Sequence, residues 1–319
     1  MIWILTTLLG CGGAVDTSHF EKDLLHLEAK IPLMGVSGRI DHLAYDSAGR
    51  RLFVAALGNN TVEVVDLASR TRIHTLTGLH EPQGVAYLPA LGRLVVANGG
   101  DGACIFYDAH SYAPAGRVEL GDDADNVRYD GRRLYVGYGS GNIGVIDPVS
   151  MKKMGDLPLK GHPESFQLGD SGKVYINVPD AGMILAGDLV ELQVRKEWAN
   201  ATASANFPMA LDRENGRLFV AYRHPANLQI VSCISGAVLA SKSCVGDADD
   251  VFYDAASGLV MVCGGEGFLD VFRDGVLMNH VTTSKGARTG LWLAEERKFL
   301  LAVPARSGKA AALWVFRME

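Results

Sequence analysis

The chain contains none of the short motifs that would announce a chemistry. Its five cysteines, Cys11, Cys104, Cys233, Cys244 and Cys263, form no CxxC or CxxCH pair. A zinc ribbon, a thioredoxin-type redox couple and covalent c-type haem are thereby excluded. Neither HExxH nor GxSxG occurs, so the helical zinc-protease pattern and the nucleophile elbow of hydrolases are both missing. No stretch holds a helical period. The longest apolar leader, Ile2 to Leu9, is far short of the roughly 20 residues a membrane-spanning helix needs. Excess positive charge is lacking too: 30 Lys+Arg against 36 Asp+Glu leave a net charge of −6, which disfavours a broad nucleic-acid-binding surface.

What is present is glycine and apolar residues. There are 37 glycines in 319 residues, with 48% hydrophobic and 21% charged residues. Such a composition buries a large core, excludes disorder as the main state, and asks for many tight turns.

The N-terminal leader suits the apolar part of a secretion signal. Leu8-Leu9-Gly10-Cys11 resembles the lipobox of bacterial lipoproteins, which implies lipidation at Cys11, although no Lys or Arg precedes the apolar run. The expected location is the periplasm or cell surface, with the membrane reached only through a lipid anchor at Cys11. A cytoplasmic location follows if the leader is not a signal. Residues 1–23 are read as leader and linker, and 24–319 as a single domain.

That domain is a repeat. Short β-type runs centred on Tyr45, Tyr87, Tyr129, Leu168, Leu211, Tyr253 and Leu293 recur at intervals of 42, 42, 39, 43, 42 and 40 residues. Each is followed by a turn, a second apolar run such as Leu52-Phe53-Val54-Ala55, a Gly- or Asn-rich loop, a third run such as Val62-Glu63-Val64-Val65-Asp66, and a more polar fourth. Four short strands per unit of about forty residues describe one blade of a β-propeller. Seven anchors predict seven four-stranded antiparallel blades. The last unit stops after its third strand, so the run from Leu24 to Leu33 is expected to supply the missing outer strand and close the ring.

The repeat resembles the YVTN-type, YncE-like seven-bladed propellers of bacteria. The resemblance is carried by Gly38-Arg39-Ile40-Asp41-His42 with Arg51-Leu52-Phe53-Val54-Ala55, by Asn206-Phe207-Pro208 and Gly246-Asp247-Ala248-Asp249-Asp250, and by Gly286-Ala287-Arg288-Thr289. It spans roughly residues 24 to 317. It implies the fold, and no single reaction, because one fold hosts many functions.

In an up-and-down blade, the second-to-third-strand loops and the links between blades share one face. The opposite face reads as ordinary hairpin turns, and Asp66, Asp108 and Asp147 as turn formers. The first face carries more Asp, His and Arg than turn geometry requires. Arg39, Asp41, His42, Asp125, Asn126, Glu164, Asn206, Arg223, His224, Asp249, Asp250, Arg288 and Arg306 are therefore the candidate ligand-binding residues, expected around the mouth of the central channel. The competing reading is that these charges pair with one another between blades.

A metal site there would draw on His42, His80, His162, Asp41 and Asp249, and a divalent metal is the candidate cofactor. Arg223, Arg288 and Arg306, with Lys309, form a candidate anion patch. Cys244 and Cys263 end strands on the same face and are a candidate disulfide, against buried free thiols. The expected function is that of an exported binding module for a small molecule or protein. The alternatives are a metal-dependent lactonase- or lyase-like enzyme using the same mouth, and an interaction subunit of an envelope protein complex.

Overall fold

In the computed structural model, which describes residues 24–319, twenty-eight strands form seven four-stranded antiparallel sheets. The first blade shows the pattern: Leu43–Asp46 lies innermost, followed outward by Arg51–Ala56, Thr61–Asp66 and Thr71–Leu76. In six of the blades each strand pairs with the next in sequence, so each is a meander held by local hydrogen bonds. Cys11, the lipidation candidate, lies outside the described residues.

The strand pattern explains why the blades stack. Successive side chains point to opposite faces of a sheet, and an interior strand of a blade has another blade against both faces. Such strands therefore read as unbroken apolar runs instead of alternating ones. Leu52 and Val54 face the seam with blade 7, whereas Phe53 and Ala55 face the seam with blade 2. All four are fully buried. The same division recurs around the ring, giving one apolar cluster for each of the seven seams among the described residues. The outer strands, such as Thr71–Leu76, are mostly exposed and correspondingly polar.

The ring closes as the truncated last repeat requires. Leu25–Leu33 pairs antiparallel with Ala311–Met318, from Leu25 opposite Met318 to Leu33 opposite Ala311, with one bulge between Leu27 and Ala29. Ile31 and Leu33 are buried in the seam between blades 7 and 1, so the closing strand contributes core as well as hydrogen bonds.

The hairpins of the far face obey local turn chemistry. Asp66 Oδ1 accepts from the N–H groups of Ala68 and Ser69 at 2.7 and 2.8 Å. Asp108 and Asp147 accept from the equivalent positions of their blades. These donors hold all three carboxyls below the usual carboxylate range.

The proposed Cys244–Cys263 disulfide does not form; Cys104, Cys233, Cys244 and Cys263 are all free thiols. The physical reason lies in the pleat. Cys263 packs into the seam between blades 6 and 7 and Cys244 against the seam between blades 5 and 6, so a sheet separates them. Burial pushes the Cys244 thiol up to about 12.

Candidate functional site at the channel mouth

Each site segment is positioned by the ladder of its own blade. Ahead of the innermost strands, the N–H of Asp41 donates to Ala55 O at 2.7 Å, that of Asp125 to Gly137 O at 2.9 Å, and that of Glu164 to Asn177 O at 3.1 Å. Three blades thus present an acid at the same height. The next residue ties sideways: the N–H of His42 reaches Gln83 O, and that of Ser165 reaches Phe207 O. Gly84 allows Asp125 to come this close to the axis. A Cβ on it would lie 1.9 Å from Asp125 O, so no other residue fits there without moving the acid.

These segments converge on a throat of about 20 Å³, lined by Arg39, Asp41, His42, Asp125, Asn126, Glu164, Ser165, Phe207, Asp249, Asp250 and Thr289. That is room for a single water-sized group. Beneath it a chamber of about 250 Å³ continues down the channel.

Charge in the mouth divides into three sets. In the first, arginines meet aspartates. Arg39 Nη2 donates to Asp41 Oδ2 at 2.6 Å. Arg288 Nη1 lies 2.9 Å from both Asp247 oxygens, and its Nε 2.9 Å from Asp249 Oδ2. Arg223 donates to the other Asp249 oxygen and to Ala248 O, and stacks 3.9 Å over the Phe207 ring. Asp249 therefore bridges arginines of blades 5 and 7.

In the second set, Asp125 sits between two imidazoles. His42 Nε2 is 3.6 Å from Asp125 Oδ1, and His162 Nε2 is 3.9 Å from Oδ2. His162 Nδ1 also contacts Gly139 O at 2.6 Å. Burial opposes the charge on both rings, but Asp125 outweighs it with hydrogen bonding and charge. With help from Asp41 for His42, and from Gly139 O and Asp123 for His162, both are raised to about 9. Burial works against Asp125 too, yet the two histidines hold it well below the usual carboxylate range.

In the third set burial outweighs compensation. Burial, reinforced by the charge of Asp125, pushes Glu164 up to about 7. Burial likewise pushes Asp250 up to about 7, although it accepts the N–H of Gly290 at 2.8 Å. Neither makes an ion pair among the described residues. Asp41, buried and close to Asp125 and Asp249, rises to about 6 despite His42 and Arg39.

Several sequence candidates lie elsewhere. Asn206 is fully buried between blades 4 and 5, where Nδ2 donates to Asn177 Oδ1 and Met183 O, and Oδ1 accepts from Asn200. His224 is exposed at the end of Arg217–His224. Arg306 is exposed in a loop bridged to Lys309. It joins neither the throat nor a shared patch with Arg223 and Arg288, which are bound to aspartates. His80 is exposed, and its backbone N–H is held by Asn98 Oδ1. Among the described residues, no group of three or more His, Cys, Asp or Glu side chains stands in metal-holding geometry.

Thr289 and Arg128 are among the residues at the site that escaped the sequence reading. Thr289 bonds Ile40 O at 3.1 Å and stitches blade 7 to blade 1. Arg128, on the wall of the inner chamber, occupies the position just before an anchor, where the other blades carry Ala44, Ala86, Gln167, Ala210, Phe252 and Trp292. A lone cation in that column is the signal that would have found it. A wider cleft of about 480 Å³ between blades 4 and 5 lies on the opposite face. Of its cations, Arg213 is held by Asp170 and Leu168 O and Lys196 by Ile234 O.

No family model matches the chain, and no curated protein matches it in sequence. Among solved structures it is similar to a chain of Kuenenia stuttgartiensis hydrazine synthase, with a TM-score of 0.78 and 15% identity over 96% of this chain and 99% of that one. At that identity the likeness shows the seven-bladed fold alone.

Proposed function

We propose that this propeller is a binding module that takes a small cationic group, such as a protonated amine, at the mouth of its central channel. The observation that carries the reading is the division of charge just described. Asp41 pairs with Arg39, Asp247 and Asp249 with Arg223 and Arg288, and Asp125 with two histidines, whereas Glu164 and Asp250 line the throat without an ion pair among the described residues. Two buried carboxyls that lack an ion pair hold protons instead, and a ligand cation would replace those protons. The throat admits an ammonium-sized head and little more. A rigid ring with ligand groups gathered at its opening is the usual disposition of a binding scaffold.

The donor set disfavours the metal-dependent alternative. A metal needs neutral imidazole, and Asp125 keeps His42 and His162 protonated to about pH 9. Membership among YVTN-type propellers is part of the same proposal, supported by the Gly38–His42 and Gly246–Asp250 segments, both of which lead into the mouth. Export to the periplasm or cell surface rests on the apolar leader Ile2 to Leu9, and an envelope protein bearing a basic side chain is the macromolecular ligand that would fit.

Titration calorimetry with methylammonium, ethylammonium and free lysine at pH 8 tests the reading. Saturable binding of at least one amine, lost in Glu164→Gln and Asp250→Asn, is expected. Absence of saturable heat from all three, or unchanged binding in both variants, would sink it.

A further inference from the structure

The inner chamber adjoins the throat through His42 and Asp250, which border both, but adds a cation of its own. Its wall is mixed, with an apolar stretch at Val85, Phe252 and Leu291, and its volume is about 250 Å³. That is below the range of drug-sized pockets and suits a ligand of a few heavy atoms. Besides His42, shared with the throat, one further cation lines this space, Arg128. Its only hydrogen bond among the described residues runs from Nη1 to the neighbouring carbonyl of Val127 at 3.0 Å. The guanidinium lies 5.6 Å from the Phe166 ring centroid. No carboxylate pairs with it. Asp250 and Asp125 act on it only through longer-range charge, so burial prevails and lowers its proton affinity, whereas at the paired Arg39 the neighbouring carboxylates prevail over burial.

An arginine lining an internal chamber without an ion-pair partner is a costly arrangement, and the propeller does not need it, since alanine fills the same column in three other blades. The guanidinium fork offers parallel N–H donors matched to the two oxygens of a carboxylate. We propose that the inner chamber binds a short-chain carboxylate, its head on Arg128 and its hydrocarbon tail against Val85, Phe252 and Leu291. This site goes beyond the cation site of the throat: it is deeper, opposite in charge preference, and built on a residue the throat does not use.

The test is thermal unfolding of the full chain in sodium butyrate against sodium chloride at equal ionic strength, with calorimetric titration of butyrate alongside. For the unsubstituted protein, a saturable rise in melting temperature specific to butyrate is expected. Arg128→Met should bind butyrate at least tenfold more weakly, yet melt at or above the unsubstituted protein when no carboxylate is present, because an unpaired buried charge has gone. Three results would overturn the proposal: chloride matching butyrate, Arg128→Met responding like the parent, or a ligand-free Arg128→Met that melts well below it. If Arg128→Met does not fold, Arg128→Lys replaces it. The point charge without the fork should bind several-fold more weakly, and equal binding again overturns the site. Glu164→Gln separates the two proposals, since it should abolish the amine response and leave the butyrate response intact.

Discussion

Asn126 Nδ2 lies 3.0 Å from His42 Nε2, a contact that runs from blade 3 to blade 1 over the head of blade 2. Because Asp125 favours a protonated His42 at neutral pH, that ring nitrogen is then a donor. It then faces a second donor in Nδ2 while Asn126 Oδ1 has no partner, and turning the amide over would bring Oδ1 to the ring as acceptor. The amide and the imidazole are therefore coupled, and both depend on Asp125.

Proton NMR titration should find His42 and His162 titrating near pH 9, and Asp125→Asn should lower both by a unit or more. The stability consequence has a definite sign. Both histidines are raised above 6.5, so their contribution is complete below about pH 6.5 and is lost as pH rises through about 9. Asp125 is lowered, so its contribution is present above its unfolded pKa of about 4 and is lost as pH falls through its folded value. Asp125→Asn should accordingly cost most between about pH 5 and 7, on the order of 3 kcal/mol by urea denaturation.

Glu164 carries the reverse sign. Its folded value, about 7, stands above the usual 4.5 of a glutamate, so ionisation penalises the native state and the penalty grows as pH rises from about 4.5 to 7. Glu164→Gln should melt above the parent at pH 8, by on the order of 1–2 kcal/mol after solvent screening, and match it at pH 4. A variant equally stable at both pH values would show that the carboxyl is not penalised.

Amine affinity should follow the same titration. Between pH 6 and 8, Glu164 and Asp250 lose their protons while an alkylammonium keeps its own, so binding should strengthen several-fold across that interval. In Glu164→Gln with Asp250→Asn the pH dependence should disappear, as read by calorimetry at each pH.

Asp249 is a structural residue first. With its two oxygens held by Arg223 and Arg288, Asp249→Ala leaves two part-buried arginines facing each other beside Asp247. A loss on the order of 2–4 kcal/mol is expected. Removing Arg288 as well should recover part of it, a coupling that a double-mutant cycle reads directly.

The ring was legible because a propeller repeats its constraints. Each blade needs an apolar interior strand at the same place, so the spacing from Tyr45 to Leu293 and the missing outer strand of the last repeat already implied seven blades and their closure. The loops were legible only as a face. Spacing placed Asp41, Asp125, Glu164 and Asp249 at one end of the channel, but partner choice depends on side-chain reach across blades far apart in sequence. Arg223 and Arg288 meeting on Asp249 is such a case, and so is Asn206 turning away into the seam beside Asn177. The two cysteines were misread for the same reason: Cys244 and Cys263 end strands on a common face, but they lie on opposite sides of one sheet.

The closing strand also fixes an orientation. Leu24 O accepts the backbone N–H of Glu319, and Met318 bonds Arg297 in a hairpin on the side away from Asp41 and Glu164. The polypeptide thus joins the ring at the pole opposite the throat and reaches the throat only after running the height of blade 7. A surface, a bead or a fused protein joined directly at Leu24 would therefore meet the wheel at the pole away from its open end.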